Sequence, residues 1–214
     1  MKKLLFLSFY SLIGIHLNAQ ENTLGIKTGL GRSTLKTDYA GSDSYFDSKG
    51  KLSAYVAVFA EHKLNENWAL QGEIGLSIVG GRNVFYKDGH SENVNAITLG
   101  KLNIPLMIKY YFNEKVNVNA GIAPSFILET MSKDRNNGKI FSNIFGDEID
   151  IKKYVKVFEV NPFVGIEFYL SKKIFLDARY TFGIYNIGKE FQGEGFDVLK
   201  SSSLQFGVGF KFKK

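Results

Sequence analysis

The stretch from Thr98 to Leu128 restricts the fold of this chain more than any other. From Leu102 onward the even positions Leu102, Ile104, Leu106, Ile108, Tyr110 and Phe112 are apolar, and between them stand Asn103, Pro105, Met107, Lys109 and Tyr111. A period of two marks a strand with unlike faces rather than a helix. After Asn113-Glu114-Lys115 the period resumes, with Val116, Val118, Ala120, Ile122, Pro124, Phe126 and Leu128 set against Asn117, Asn119, Gly121, Ala123 and Ser125. This predicts a hairpin with one apolar face. Each arm is longer than the ~5–6 residues of an ordinary soluble strand. Each also reaches the ~9–11 residues that cross a bilayer at a tilt.

The start of the chain predicts an exported protein. Met1-Lys2-Lys3 is a basic n-region, Leu4 to Leu17 an apolar h-region, and Asn18-Ala19-Gln20 offers a small residue for cleavage near Ala19 or Gln20. A signal peptide over residues 1–19 leaves residues 20–214 as one domain. No later run approaches the ~18–20 uninterrupted apolar residues of a transmembrane helix. With no cysteine there is neither a disulfide framework nor a lipid-attachment site. The formal net charge of +6 loses two with Lys2 and Lys3 and becomes +4, and the cations form no stripe, which argues against nucleic acid as a partner. At 44% hydrophobic residues with 14% aromatic, the composition suits strands whose two faces differ in polarity.

Applied along the chain, the parity rule predicts eight strands: Leu24–Leu35, Lys51–Leu64, Trp68–Val79, the two arms Leu102–Phe112 and Val116–Leu128, Val155–Leu170, Ile174–Tyr185 and Ser203–Phe212. Asn65–Asn67, Asn113–Lys115 and Ser171–Lys173 read as three-residue turns. Lys36–Gly50, Gly81–Asn95, Glu129–Tyr154 and Ile187–Lys200 read as long polar loops. Short and long connections alternate, as in outer-membrane barrels with periplasmic turns and extracellular loops. The expected fold is all-β, an eight-stranded antiparallel up-and-down transmembrane β-barrel in the cell outer membrane with both termini periplasmic. A soluble barrel or jelly roll would turn the apolar face inward. Against that, Trp68, Tyr110, Phe112, Phe168, Phe210 and Phe212 share the apolar parity and gather near the short turns, as an interfacial girdle does. The opposite face carries Lys27, Glu61, Glu73, Lys101, Lys109, Glu159, Glu167, Asp177, Arg179 and Lys211, charges of both signs that can pair inside a narrow barrel. Pro105, Pro124 and Pro162 fall mid-strand, which predicts bulges, and an apparent parity slip between Leu99 and Leu102 predicts another near Gly100.

Several stretches resemble the PorT-like outer-membrane β-barrel family of the Bacteroidota, eight-stranded barrels broadly similar to the OmpA transmembrane domain. They are GIKTGLGRSTL (Gly25–Leu35), LNIPLMIKYYF (Leu102–Phe112), NAGIAPSF (Asn119–Phe126) and SLQFGVGFKF (Ser203–Phe212). The resemblance spans nearly the whole mature chain. It implies a non-enzymatic integral membrane protein without shared catalytic residues. It departs at the end of the chain, where Lys213-Lys214 follow the aromatic Phe212.

No catalytic, cofactor-binding or metal-binding residue is expected. His62 lies near a short turn, and His90 beside Asp88 has no serine or second carboxylate placed by spacing to complete a catalytic group. Without cysteine a zinc cluster lacks ligands, and Asp147-Glu148-Ile149-Asp150 lacks the glycine and spacing of a calcium loop. Gly29-Leu30-Gly31-Arg32-Ser33 has no phosphate-loop lysine and reads as strand. The leading functional expectation is a monomeric barrel that presents four loops for a structural or interaction role. The longest, Glu129–Tyr154, carries Phe141, Ile144 and Phe145 for surface contact. The expected partners are outer-membrane lipid, the barrel assembly machinery during biogenesis, and an envelope or surface protein of unknown identity. Alternatives are a narrow channel for small solutes, a rim enzyme, or an accessory factor in protein secretion.

Overall fold

The computed structural model describes residues 22–39, 46–87, 90–134, 140–142, 151–191 and 194–212. The strands are β1 (Asn22–Tyr39), β2 (Phe46–Lys63), β3 (Trp68–Lys87), β4 (His90–Asn103), β5 (Leu106–Asn113), β6 (Val116–Asp134), β7 (Ile140–Ser142), β8 (Phe158–Tyr169), β9 (Ile174–Thr181), β10 (Glu190–Phe191) and β11 (Glu194–Lys211), with a 3-10 turn at Ile151–Tyr154. β4 and β5 form one stave, both pairing β3 and β6, and β1 closes on β11. The result is a ring of eight antiparallel staves, which leaves no sheet edge. Among the described residues no helix is long and apolar enough to cross a membrane.

Each predicted three-residue turn begins with the side chain that closes it. Asn65 Oδ1 accepts from the amides of Asn67 and Trp68, both at 2.9 Å. Asn113 Oδ1 accepts from Lys115 at 2.8 Å and Val116 at 3.0 Å, and Ser171 Oγ from Lys173 at 3.2 Å and Ile174 at 3.1 Å. A short polar side chain reaching two and three residues forward makes a tight turn cheap.

The apolar parity faces outward. Leu30 is 59% exposed, Leu52 72% and Phe112 60%. Trp68, Phe112, Phe168, Phe210 and Phe212 are exposed near the short turns, where Trp68 and Phe112 each pack edge-on against Tyr110. A second aromatic group, unforeseen in the sequence, lies outward toward the loop end of β6, β8 and β9, with Phe126 against Phe158 and Tyr180 against Phe182.

Several expectations are corrected. Much of 36–50, 81–95 and 187–200 is strand rather than loop, because ladder pairing continues where the outer face turns polar and hydrophobic alternation no longer reports it. β8 starts at Phe158, not Val155, and β9 ends at Thr181, not Tyr185. No proline sits at a bulge. Each one's missing donor falls at a gap in the ladder: Pro105 between β4 and β5, Pro124 facing that gap, and Pro162 beyond the last β8–β9 pair, Phe163 with Thr181. Gaps supply inside a closed ring what an edge supplies elsewhere. A register shift does occur at Gly100/Lys101, but the extra residue is Leu128 of β6. β4 keeps its parity, since Leu99 and Lys101 are both buried.

Candidate functional site

Inward positions alternate along every stave, so side chains from the eight staves meet on the barrel axis. All ten ionisable residues predicted to face inward do so, and each is in an ion pair. Five acids stand against five bases, so the interior carries no net charge from them. Long charged side chains find room beside small cross-strand neighbours. Lys27 lies between Gly209 and Ala57, Lys109 beside Ala69, and Arg179 beside Gly165. A Cβ on Gly207 would stand 2.1 Å from the Tyr55 hydroxyl, and one on Gly209 would stand 2.0 Å from the Phe175 ring. These two glycines are the floor over which the aromatic rings lie.

Toward the short turns, Lys109 Nζ sits 2.9 Å from Glu61 Oε2 and 2.7 Å from Glu167 Oε2, and donates to Gln71 Oε1 at 2.7 Å. Lys211 reaches the other oxygen of Glu61 at 2.8 Å. Tyr111 donates to Glu61 at 2.8 Å, and Tyr169 and Asn117 donate to Glu167 at 3.0 and 2.8 Å. Gln71 passes the network on to Glu73 Oε1 at 2.7 Å. There Arg179 binds both Glu73 oxygens, at 3.0 and 2.8 Å, the fork geometry that suits a carboxylate. Lys27 adds a contact to Glu73 at 2.7 Å, and Tyr55 donates to Asp177. The Arg179 guanidinium lies 4.3 Å from the Phe163 ring centroid.

Further toward the loops, Lys101 pairs with Glu159 at 2.5 Å and donates to Ser201 at 2.7 Å. Between this pair and Arg179 lies a polar cavity of about 60 Å³, whose lining includes Ser77, Asn103, Ser125, Asn161 and Gln205. A void of that size, with polar groups on its wall, has room for a few waters. Above it the interior becomes apolar. Leu35, Val79, Ile97, Leu99, Ile127 and Leu199 meet Tyr154, Val155 and Ile187 in one buried cluster. The last three come from the two loop segments before β8 and after β9. Those segments are tied by Lys156 N to Ile187 O at 2.7 Å and Lys189 N to Tyr154 O at 2.8 Å.

Sequence reasoning did not find this lid, or the part played by Tyr111 and Tyr169. Parity places Leu99 and Ile97 inward, but a rule equating inward with polar hides them. His62 lies at the short-turn end, its Nδ1 2.6 Å from Asn22 Oδ1. Asp88, Ile144, Phe145 and residues 147–150 lie outside the described residues. Among the described residues no group of three or more acidic or histidine side chains is placed to hold a metal.

The model of the outer membrane protein beta-barrel domain matches residues 18–189. The chain belongs to that family. As an outer-membrane barrel it sits in a lipid bilayer, its apolar face against lipid. No curated protein matches the sequence. Neisserial surface protein A is similar in structure, with 13% identity, 90% of this chain and 99% of that one covered, and a TM-score of 0.50. Ail of Yersinia pestis, in complex with the heparin analogue sucrose octasulfate, gives 15% identity, the same coverage and a TM-score of 0.47. OprG of Pseudomonas aeruginosa gives 13%, 91% and 98% coverage, and 0.40. At 13% identity the likeness to Neisserial surface protein A speaks for the fold alone.

Proposed function

We propose that the chain is a non-enzymatic outer-membrane anchor with a filled lumen, of the PorT-like kind. The mature protein begins near Gln20, both termini and the short turns face the periplasm, and the loop end faces outward. It is a monomer inserted by the barrel assembly machinery, and its four loop-end connections present a structural or interaction surface to an envelope or surface protein. The observation that carries this reading is how the interior is filled: five acids paired with five bases, closed on one side by the apolar cluster around Leu99. Eight staves enclose a space that side chains can fill, and open lumens belong to larger counts. A barrel so filled passes little current and depends on its charge pairs for stability.

Planar-bilayer recording of the wild type should give no steady porin-like conductance, and Arg179→Ala should lower the unfolding temperature in detergent micelles. A steady, solute-selective current from the wild type, altered in selectivity but not in stability by Arg179→Ala, would replace the anchor with a narrow channel.

A further inference from the structure

The outer wall at the loop end is basic over one sector of the ring. On β1 the outward residues beyond Leu30 are Arg32, Thr34 and Lys36, and pairing sets Lys36 directly opposite Lys200 of β11. Two strands along, Lys49 of β2 stands directly opposite Arg82 of β3. Arg32, Lys36, Lys49 and Arg82 are exposed and Lys200 half-exposed. The Arg32 side chain lies where a Cβ on Gly50 would be, 2.1 Å from its Nε, so it leans along the wall toward β2. Like charges directly opposite across strands come within about 4.5–5.5 Å at Cβ and destabilise the pair. Among the described residues, Arg32, Lys36, Arg82 and Lys200 have no carboxylate at ion-pair distance. The next outward residue of β1, Asp38, is the one described carboxylate on that strand's outer face.

What lies just below gives this patch its meaning. Arg32 pairs across with Leu52 and Leu204, and the lipid-facing Leu30, Leu76 and Ile78 follow within a few residues. A largely apolar furrow of about 470 Å³ crosses the outer wall there, its lining including Thr28, Ala54, Val56, Leu76 and Ile78, with the carboxylate of Glu129 only at its far end on β6, away from the cations. Cations at the top of an apolar wall that is furrowed beneath them match an amphiphile with an anionic head and aliphatic chains. The guanidiniums of Arg32 and Arg82 suit phosphate oxygens. Over β6, β8 and β9 the outer wall toward the loop end carries Phe126, Phe158, Tyr180 and Phe182, and the exposed cations there, Lys152, Lys153 and Lys189, belong to connecting segments rather than to facing positions of paired strands.

We infer that the sector formed by Arg32, Lys36, Arg82 and Lys200 is a binding site for the phosphorylated headgroup of a lipid in the leaflet at the loop end, with an acyl chain in the furrow below. The bound phosphate offsets the repulsion between Lys36 and Lys200. Juxtamembrane cations each add to attraction for anionic lipid, which makes the patch stronger than any single contact.

The test uses the mature chain refolded into non-ionic maltoside micelles, with diphosphoryl lipid A as probe and the heat-induced gel shift as readout. Lipid A should raise the unfolding temperature of the wild type. The variant Arg32→Gln/Lys36→Gln/Arg82→Gln/Lys200→Gln should lose that rise and bind at least about tenfold more weakly. Lys172→Gln/Lys173→Gln, at the opposite end, should keep it, and inorganic phosphate alone should not reproduce it. The milder Lys36→Gln/Lys200→Gln should be at least as stable as wild type without lipid and lose part of the rise with it. A rise retained by the fourfold variant, a rise produced equally by inorganic phosphate, or a loss of lipid-free stability in Lys36→Gln/Lys200→Gln would each overturn the site.

Discussion

The two halves of the lumen are filled by opposite chemistry. From the short turns up to Arg179, carboxylates, ammonium groups, amides and phenols join in one connected network of ion pairs and hydrogen bonds. Toward the loops, beyond a small polar cavity, the same inward positions carry leucine, isoleucine and valine. Both fillings exclude bulk water, but they fail differently. A charge network is unforgiving, because removing one member strands its partners, whereas an apolar cluster loses only what is cut from it. The short-turn half should therefore control whether the barrel holds together, and the loop half how tightly its mouth is shut.

The largest expected effect comes from Glu73→Ala, which takes the shared carboxylate away from both Arg179 and Lys27. A loss of roughly 3–5 kcal/mol, the usual cost of leaving a buried charge unpaired, should appear as a large fall in the urea midpoint of refolded protein. An unchanged midpoint would show that the network is not what holds this half together. Leu99→Ala should cost less, about 2–4 kcal/mol. Its effect on amide exchange should stay at the loop end, around Ile127 and Leu199, and leave the amides near Lys109 protected. Equal acceleration at both ends would erase the distinction between the halves. Smallest is Gly209→Ala, whose methyl meets the Phe175 ring and should cost roughly 1–3 kcal/mol by overpacking. Repacking with Phe175→Leu in the same chain should recover much of that, while a lasting deficit in the double variant would point to the backbone instead.

Alternation gave the strand identity and the division into two faces. Together with the aromatics gathered near the short turns and the charges of the opposite face, it gave the outward apolar face, the inward position of all ten charges and the three short turns. Each of these rests on a rule that acts within a few residues: side chains switch faces at every step of a strand, and Asn65, Asn113 and Ser171 close turns with their own side chains. Strand length past the apolar belt was not legible, because pairing between β2 and β3 or β3 and β4 continues through residues whose polarity no longer alternates. The gaps that accommodate the prolines were hidden for a similar reason, since they depend on where a neighbouring stave stops. Which acid meets which base, and that Leu99 joins Tyr154 and Ile187 in a lid, were decided only by closure of the ring. Closure brings residues such as Glu73 and Arg179, 106 positions apart, to 2.8 Å, and a local pattern carries no information about distances of that kind.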